Sequence, residues 1–228
     1  MKVAAIVPAF NEEKTIAGVV QTLKSSLLIG EVIVISDGSK DKTAQLAREA
    51  GADMVHELPF RHGKGSAMSH GVTHTDAPIL FFADADLSGF TAQHIESIVK
   101  PVLAGTYAMN VGLRDRGGFF TWLQQYLPLI GGERAMLRKV FTDIPDYYMK
   151  GFKAESALNY YCRANKLPYG KTKMPGIRIV KKIEKFGFWG GLKEYFKMSW
   201  EIIKAMTEVR LHKTVFTSRG VHMKHGHA

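Results

Sequence analysis

The stretch Pro78-Ile79-Leu80-Phe81-Phe82-Ala83-Asp84-Ala85-Asp86 joins an unbroken apolar run to two carboxylates. Such a run reads as a strand buried on both faces, and its exit carries Asp84 and Asp86. In extended backbone, residues two apart point the same way, so the two acids share one face and Ala85 leaves room between them. Carboxylates so placed can hold a divalent cation against a phosphorylated substrate, which points to an enzyme. Alone, the pair reads equally well as a solvated turn.

Upstream, the same kind of segment recurs. Val3 to Val7 is a short apolar run, followed by Asn11-Glu12-Glu13 and then Ile16, Val19, Val20 and Leu23 at helical spacing. Val32-Ile33-Val34-Ile35 reads as an interior parallel strand. After Asp37-Gly38-Ser39, Asp41 can cap a helix built on Ala44, Leu46, Ala47 and Ala50. Ala52 to His56 reads as a third strand, a helix starts near Lys64 or Gly65, and the strand ending at Asp84 follows. Thr91 to Leu103 reads as a helix and Tyr107 to Val111 as a strand. This βαβ succession implies an α/β fold with an open, mostly parallel sheet covered by helices on both faces. Ligands of such sheets bind beyond the carboxyl ends of the strands, where Pro8, Asp37 and Asp84 fall.

The second half is less regular. Phe119 to Ile130 reads as an aromatic helix, Gly131-Gly132 breaks it, and Arg134 to Phe141 reads as another short helix. Ala154 to Ala164 reads as a helix and Ile177 to Val180 as a strand. From Phe188 to Leu211, Leu192, Phe196, Ile203 and Met206 mark an apolar face opposite Lys193, Lys197, Glu201, Lys204 and Glu208. That segment either closes the core or rests on an anionic bilayer. With no repeat or linker, one domain over residues 1–228 is expected, with a C-terminal helical extension.

At 228 residues and 46% hydrophobic, the chain can bury a substantial core. Its one cysteine, Cys162, excludes an internal disulfide or a thiolate cluster and fits a reducing compartment. The apolar run after Met1-Lys2 is too short for a signal peptide, and no stretch reaches the roughly 18 apolar residues of a membrane span. A cytoplasmic protein is expected, soluble or peripheral at the inner face of the membrane. Of the formal charge of +10, residues 171–228 supply nearly all, with 13 Lys/Arg against 4 Asp/Glu. So local a positive charge suits phosphate or an anionic surface and argues against general nucleic-acid binding; a plain solvated lysine face is the alternative.

Other polar positions carry paired readings. Asp37 can accept hydrogen bonds from a base or ribose, or make an Asx turn with Gly38. Gly63-Lys64-Gly65-Ser66-Ala67 offers a turn, a lysine and a helix N-terminus, which suits phosphate without the spacing of a P-loop. Pro8-Ala9-Phe10-Asn11-Glu12 lacks the glycines of a dinucleotide fingerprint. Arg114 and Arg116, expected in a loop after a strand, and Arg134 can clamp a phosphate or pair with surface acids. Glu155 can orient a hydroxyl or serve as a helix N-terminal charge. Among nine histidines, His222, His225 and His227 cluster in the tail, where one can ligate a metal or all can be a polar terminus. No nucleophilic triad is identifiable around serine or Cys162.

Together, Ile6-Val7-Pro8-Ala9-Phe10-Asn11-Glu12, Ile35-Ser36-Asp37-Gly38-Ser39, Gly63-Lys64-Gly65-Ser66-Ala67 and Ala83-Asp84-Ala85-Asp86-Leu87-Ser88 resemble the nucleotide-sugar-binding half of family 2 glycosyltransferases with the A-type fold, across residues 3–115. Within that group the Ala-Asp-Ala-Asp-Leu form is most similar to dolichol- or polyprenyl-phosphate sugar synthases. The resemblance implies that Pro8, Ala9, Phe10 and Glu12 line a nucleotide pocket with Lys64, Ala83, Asp84 and Ala85, and that Asp37 reads the base or ribose. It implies Mg²⁺ or Mn²⁺ at Asp84 and Asp86, with Asp86 the more direct ligand, and Arg114, Arg134 and Glu155 near the donor or acceptor. Residues 1–115 then form the donor half and 116–228 the acceptor half. Ser36 departs from the second aspartate common before Asp37, and no Gln-x-x-Arg-Trp segment of processive synthases is present.

The implied reaction is glycosyl transfer from a nucleoside diphosphate sugar to a phosphate-bearing acceptor, expected to be polyprenyl phosphate with inversion. A phosphate acceptor is already anionic and needs no strong general base, whereas an alcohol needs one among Asp115, Asp143, Asp146 and Glu155. The alternatives are a retaining transferase using a soluble phosphorylated acceptor such as a glycerate derivative, and a non-catalytic sugar-nucleotide-binding or membrane-interaction protein.

Overall fold

The computed structural model describes residues 2–114, 131–149, 153–177 and 207. The expected helices at Phe119–Ile130 and Phe188–Leu211 and the tail histidines lie outside this set, apart from Thr207. Seven strands form one sheet in the order β3-β2-β1-β4-β6-β5-β7. They are β1 (Val3–Ala9), β2 (Glu31–Asp37), β3 (Met54–Leu58), β4 (Ile79–Phe82), β5 (Met109–Arg114), β6 (Arg134–Leu137) and β7 (Tyr169–Met174). The first four are mutually parallel, β6 runs antiparallel to both β4 and β5, and β7 is parallel to β5.

Alternation along the strands builds two cores from one sheet. In β1, Ala4 and Ile6 face one side, while Val3, Ala5 and Val7 face the other. On the first side lie α3 (Lys64–Val72), through Ala67, Met68 and Val72, and α6 (Lys153–Ala164), through Ala157, Leu158, Tyr161 and Cys162. On the second lie α1 (Ile16–Ser25), through Ile16, Val19, Val20 and Leu23, α2 (Thr43–Glu49), through Ala47, and α4 (Ala92–Leu103), through Ile95, Ile98, Val99 and Val102. Every side chain of Ile79-Leu80-Phe81-Phe82 is buried, as a strand with a helical layer on each face requires.

The expected strands at 3–7, 32–35, 52–56 and 107–111 all form, with the third and the last displaced two residues or so toward the C-terminus. One reading is corrected. Arg134 to Phe141 is not one helix: Arg134–Leu137 pairs between β4 and β5, and only Arg138–Thr142 is helical, as α5. The strand β7, ending at Met174 with Gly176 turning the chain at φ 81°, is not among the expected strands; the strand expected at Ile177 to Val180 lies outside the described residues apart from Ile177. Pro8 is tolerated in a central strand because the β4 ladder on β1 stops at Ile6. Among the described residues, no helix is long and apolar enough to cross a membrane.

Candidate active site

The carboxyl ends of β1, β2 and β4 open onto one pocket of about 280 Å³. Pro8, Ala9, Phe10 and Glu12 line it from the β1 exit, Asp37 from β2, Arg61 and Lys64 from the approach to α3, and Asp84, Ala85 and Asp86 from the β4 exit. Ala83 does not join them. It is buried, and its backbone N–H donates to Ile6 O at 3.2 Å, so it ends the β4 ladder beneath the pocket.

The first two loops are laced together. Asn11, at φ 55°, donates its N–H to Ser39 Oγ and accepts from Lys40 N–H through Oδ1. The Glu12 N–H donates to Thr43 Oγ1 at 2.8 Å, while Asp41 Oδ1 accepts the Thr43 N–H at 3.0 Å; the N-cap of α2 is Lys42 and not the expected Asp41, which holds the turn just before the helix. Asp37 is almost wholly buried, and its two oxygens accept backbone N–H groups from His62 at 2.7 Å and Gly63 at 2.8 Å. It therefore fastens the segment that leads into Lys64 while lining the pocket. Gly38, at φ 72°, lets that segment approach: a Cβ there would lie 2.6 Å from Arg61 N.

The two acids that end β4 have different surroundings. Asp84 Oδ1 accepts from Lys64 Nζ at 2.5 Å and Oδ2 from Arg114 Nη2 at 2.6 Å. Burial pushes its pKa up, but the Lys64 and Arg114 charges outweigh burial and hold the carboxyl below its ordinary value. Asp86, with its side chain 57% exposed, accepts no hydrogen bond among the described residues; Arg114 Nη2 stands 3.7 Å from its Oδ1. One carboxylate is locked between two cations, and the other opens to the pocket.

Arg114 is the last residue of β5, not a loop residue, because β7 continues alongside as far as the Arg114–Met174 pair. Its guanidinium also donates to both oxygens of Glu133, from Nε at 3.1 Å and from Nη2. Glu133 is fully buried, and burial together with Asp84 raises its pKa against the pull of Arg114 and Lys64. Beneath it, Arg134 opens β6 with 1% exposure and donates Nη2–H to Gly131 O at 2.5 Å. Arg134 Nη1, and Glu155 Oε2 in the first turn of α6, are buried without a hydrogen-bond partner among the described residues. Arg134, Glu155 and Glu133 thus form a charged layer below Asp84 and Lys64, whose charges they influence directly.

The structure brings Pro8, Ala9, Phe10, Glu12, Asp37, Lys64, Asp84, Ala85 and Asp86 to one pocket and Arg114 to its acidic wall, while Arg134 and Glu155 lie deeper. Sequence reasoning missed Arg61 and Glu133. The Arg61 guanidinium sits over the Phe10 ring, 4.3 Å from its centroid, a pairing with no periodic signature. Glu133 was visible only as an acid next to Arg134. In the sequence Gly132 reads as a helix breaker; in the structure a Cβ there would lie 2.1 Å from Asp84 Oδ2, so its missing side chain makes room for that carboxylate.

A mostly parallel sheet with this anionic and cationic cluster at its strand exits defines the A-type fold of a nucleotide-sugar glycosyltransferase. The chain belongs to glycosyl transferase family 2, whose profile matches residues 4–155. It is 35% identical over 190 aligned positions to glucosyl-3-phosphoglycerate synthase of Mycolicibacterium smegmatis, an alignment covering 68% of this chain and 62% of that one. It is 32% identical over 116 positions to protein RfbJ of Shigella flexneri, covering 51% of this chain and 88% of the relative. The crystal structure of glucosyl-3-phosphoglycerate synthase from Mycobacterium tuberculosis with Mn²⁺, uridine diphosphate and phosphoglyceric acid superimposes with a TM-score of 0.73 at 25% identity, over 91% of this chain and 78% of that one. The same enzyme with Mg²⁺ and uridine diphosphate gives a TM-score of 0.72.

Proposed function

We propose that this glycosyltransferase moves a glycosyl group from a nucleoside diphosphate sugar to a small, soluble, phosphate-bearing acceptor such as a glycerate derivative, with Mg²⁺ or Mn²⁺ held at Asp86. The observation that carries this reading is the inequality of the two acids at the β4 exit. Asp86 offers an open, hard oxygen ligand of the kind these cations take, whereas both oxygens of Asp84 are engaged by Lys64 and Arg114. A bound cation would offset the charge that grows on the leaving diphosphate.

The remaining roles fall to the chain's own groups. Lys64, at the first turn of α3, presents an ammonium and a helix N-terminus to the diphosphate side of the pocket. Phe10, Pro8 and Ala9 give the nucleotide an apolar wall, Glu12 and Asp37 its polar edge, and Arg61 a planar cation beside the ring. Arg114 keeps Asp84 ionised and oriented, and Glu133 holds Arg114. The two unpartnered buried atoms, Arg134 Nη1 and Glu155 Oε2, belong to the acceptor side. Residues 1–115 accordingly serve the donor and 116–228 the acceptor, in a protein that works in the cytoplasm on water-soluble substrates.

The soluble acceptor is favoured over polyprenyl phosphate because the relative matched over the larger share of this chain, and the solved structures named above, are glucosyl-3-phosphoglycerate synthases. Polyprenyl phosphate at an anionic membrane surface remains the second reading, supported by the 13 Lys/Arg among residues 171–228. Chelator-stripped protein assayed with a panel of nucleoside diphosphate sugars, against 3-phosphoglycerate and against polyprenyl phosphate in vesicles, separates the two. Metal-dependent transfer to the soluble acceptor is the expected result. Transfer to the lipid alone would overturn the acceptor assignment, and no turnover of any donor would leave only a binding protein. Asp86→Ala is expected to lower turnover at least about 100-fold, comparable to removing a direct transition-state stabiliser.

A further inference from the structure

A second cluster of metal-ligating groups lies away from the pocket, where no acidic residue takes part. His56 is the third residue of β3, the strand at the edge of the sheet; His70 is in the last turn of α3; and His74 follows four residues later. The helix track continues far enough to keep the last two on one side, since Thr73 and His74 donate their N–H groups to His70 O and Gly71 O. All three side chains are half-buried, and one ring nitrogen from each lies within 4.8 Å of the others.

We propose that His56, His70 and His74 bind a transition-metal cation of the Zn²⁺ class, separate from the cation at Asp86, and that this cation staples edge strand β3 to helix α3. Three imidazoles are borderline-soft nitrogen ligands that suit Zn²⁺, Co²⁺, Ni²⁺ or Cu²⁺ and not the hard, oxygen-seeking Mg²⁺. The Nε2 atoms of His70 and His74 are 3.2 Å apart. Two nitrogens at about 2.05 Å from a tetrahedral Zn²⁺ stand roughly 3.3 Å from each other, so this pair already has the required spacing. His56 packs against both partners, its ring centroid 4.4 Å from that of His70 and 5.2 Å from that of His74. With one His56 nitrogen within 4.8 Å of the other two, the three rings can supply three corners of a tetrahedron and leave the fourth to water.

The place of the cluster gives the cation a consequence. Between His56 and His70 the chain passes through Arg61, which covers Phe10; His62 and Gly63, which donate to Asp37; and Lys64, which pairs with Asp84. A cation there would fix both ends of the segment that forms one wall of the pocket. The site does not depend on what that pocket binds.

The experiment uses full-length protein stripped by a chelator and titrated with Co²⁺ and with Zn²⁺, following Co²⁺ ligand-field absorption and competition with a chromophoric chelator. One equivalent is expected to bind with a tetrahedral Co²⁺ spectrum and to raise the thermal midpoint. His70→Ala and, independently, the milder His56→Gln are expected to weaken Zn²⁺ binding at least about 100-fold, beyond the 10- to 100-fold typical of losing a mere supporting group. Asp86→Ala, and replacement of His222, His225 and His227 together by alanine, should leave the Co²⁺ spectrum unchanged. Absence of binding, a site lost with the tail histidines, or affinity unchanged in both cluster variants would overturn the proposal and leave a packed trio of rings with one His70–His74 hydrogen bond.

Discussion

Asp84 and Asp86 are two residues apart and chemically identical, yet what surrounds them divides their work. Asp84 is a half-buried charge with two cationic partners, so removing it leaves Lys64 and Arg114 uncompensated, at a cost below the about 3–5 kcal/mol of a fully buried set. Asp84→Ala is therefore expected to lower both stability and activity, whereas Asp86→Ala should lower activity alone; urea denaturation beside a turnover assay reads the difference. Gly132 tests the same carboxylate from outside the pocket. Gly132→Ala puts a methyl group where Asp84 Oδ2 sits and should lower turnover with the Asp86 carboxylate intact. Unchanged kinetics in that variant would show that the position of Asp84 is unimportant. The pairing of these acids was legible in the sequence, but their division of labour was not, because Lys64 and Arg114 reach Asp84 from 20 and 30 residues away.

At the level of elements, the parallel half announced itself through β-branched runs separated by helical periodicity, and β1, β2, β4, α1, α3 and α4 stand close to where that pattern put them. β6 escaped because Arg134-Ala135-Met136-Leu137 has no alternation to distinguish it from a helix start, and a buried arginine in a strand contradicts its hydropathy. What makes it a strand is the open edge of β4, which pairs Phe82 with Arg134 and Ile79 with Leu137. β7 escaped for a related reason: Tyr169-Gly170-Lys171-Thr172-Lys173-Met174 is a polar edge strand. β4 itself carries the load of both cores. Phe82 is 1% exposed and stacks on Phe141 with ring centroids 5.0 Å apart. Phe82→Ala should cost about 3–5 kcal/mol in equilibrium unfolding. A loss below about 1 kcal/mol would mean that this face of β4 is not packed as described.

For the molecule as a whole, the order of strands converts separate motifs into one site. Residues from the exits of β1, β2 and β4 meet because those strands are neighbours, and the antiparallel β6 brings Gly132, Glu133 and Arg134 back beneath the same edge. The pocket at the exits of β1, β2 and β4 was readable since its parts lie in consecutive βα units. The acceptor was not, since local patterns carry no information on which chemistry a pocket excludes, and the preference for a soluble acceptor over a lipid rests on the similarity to glucosyl-3-phosphoglycerate synthases.

The central claim is tested most directly by mixing chelator-stripped protein, a nucleoside diphosphate sugar and 3-phosphoglycerate, adding Mn²⁺, and following the glycosylated product and its anomeric configuration by NMR. The account predicts product only with the metal present, and almost none from Asp86→Ala. Equal product in the presence of excess chelator, or an Asp86→Ala protein as active as the parent, would contradict it.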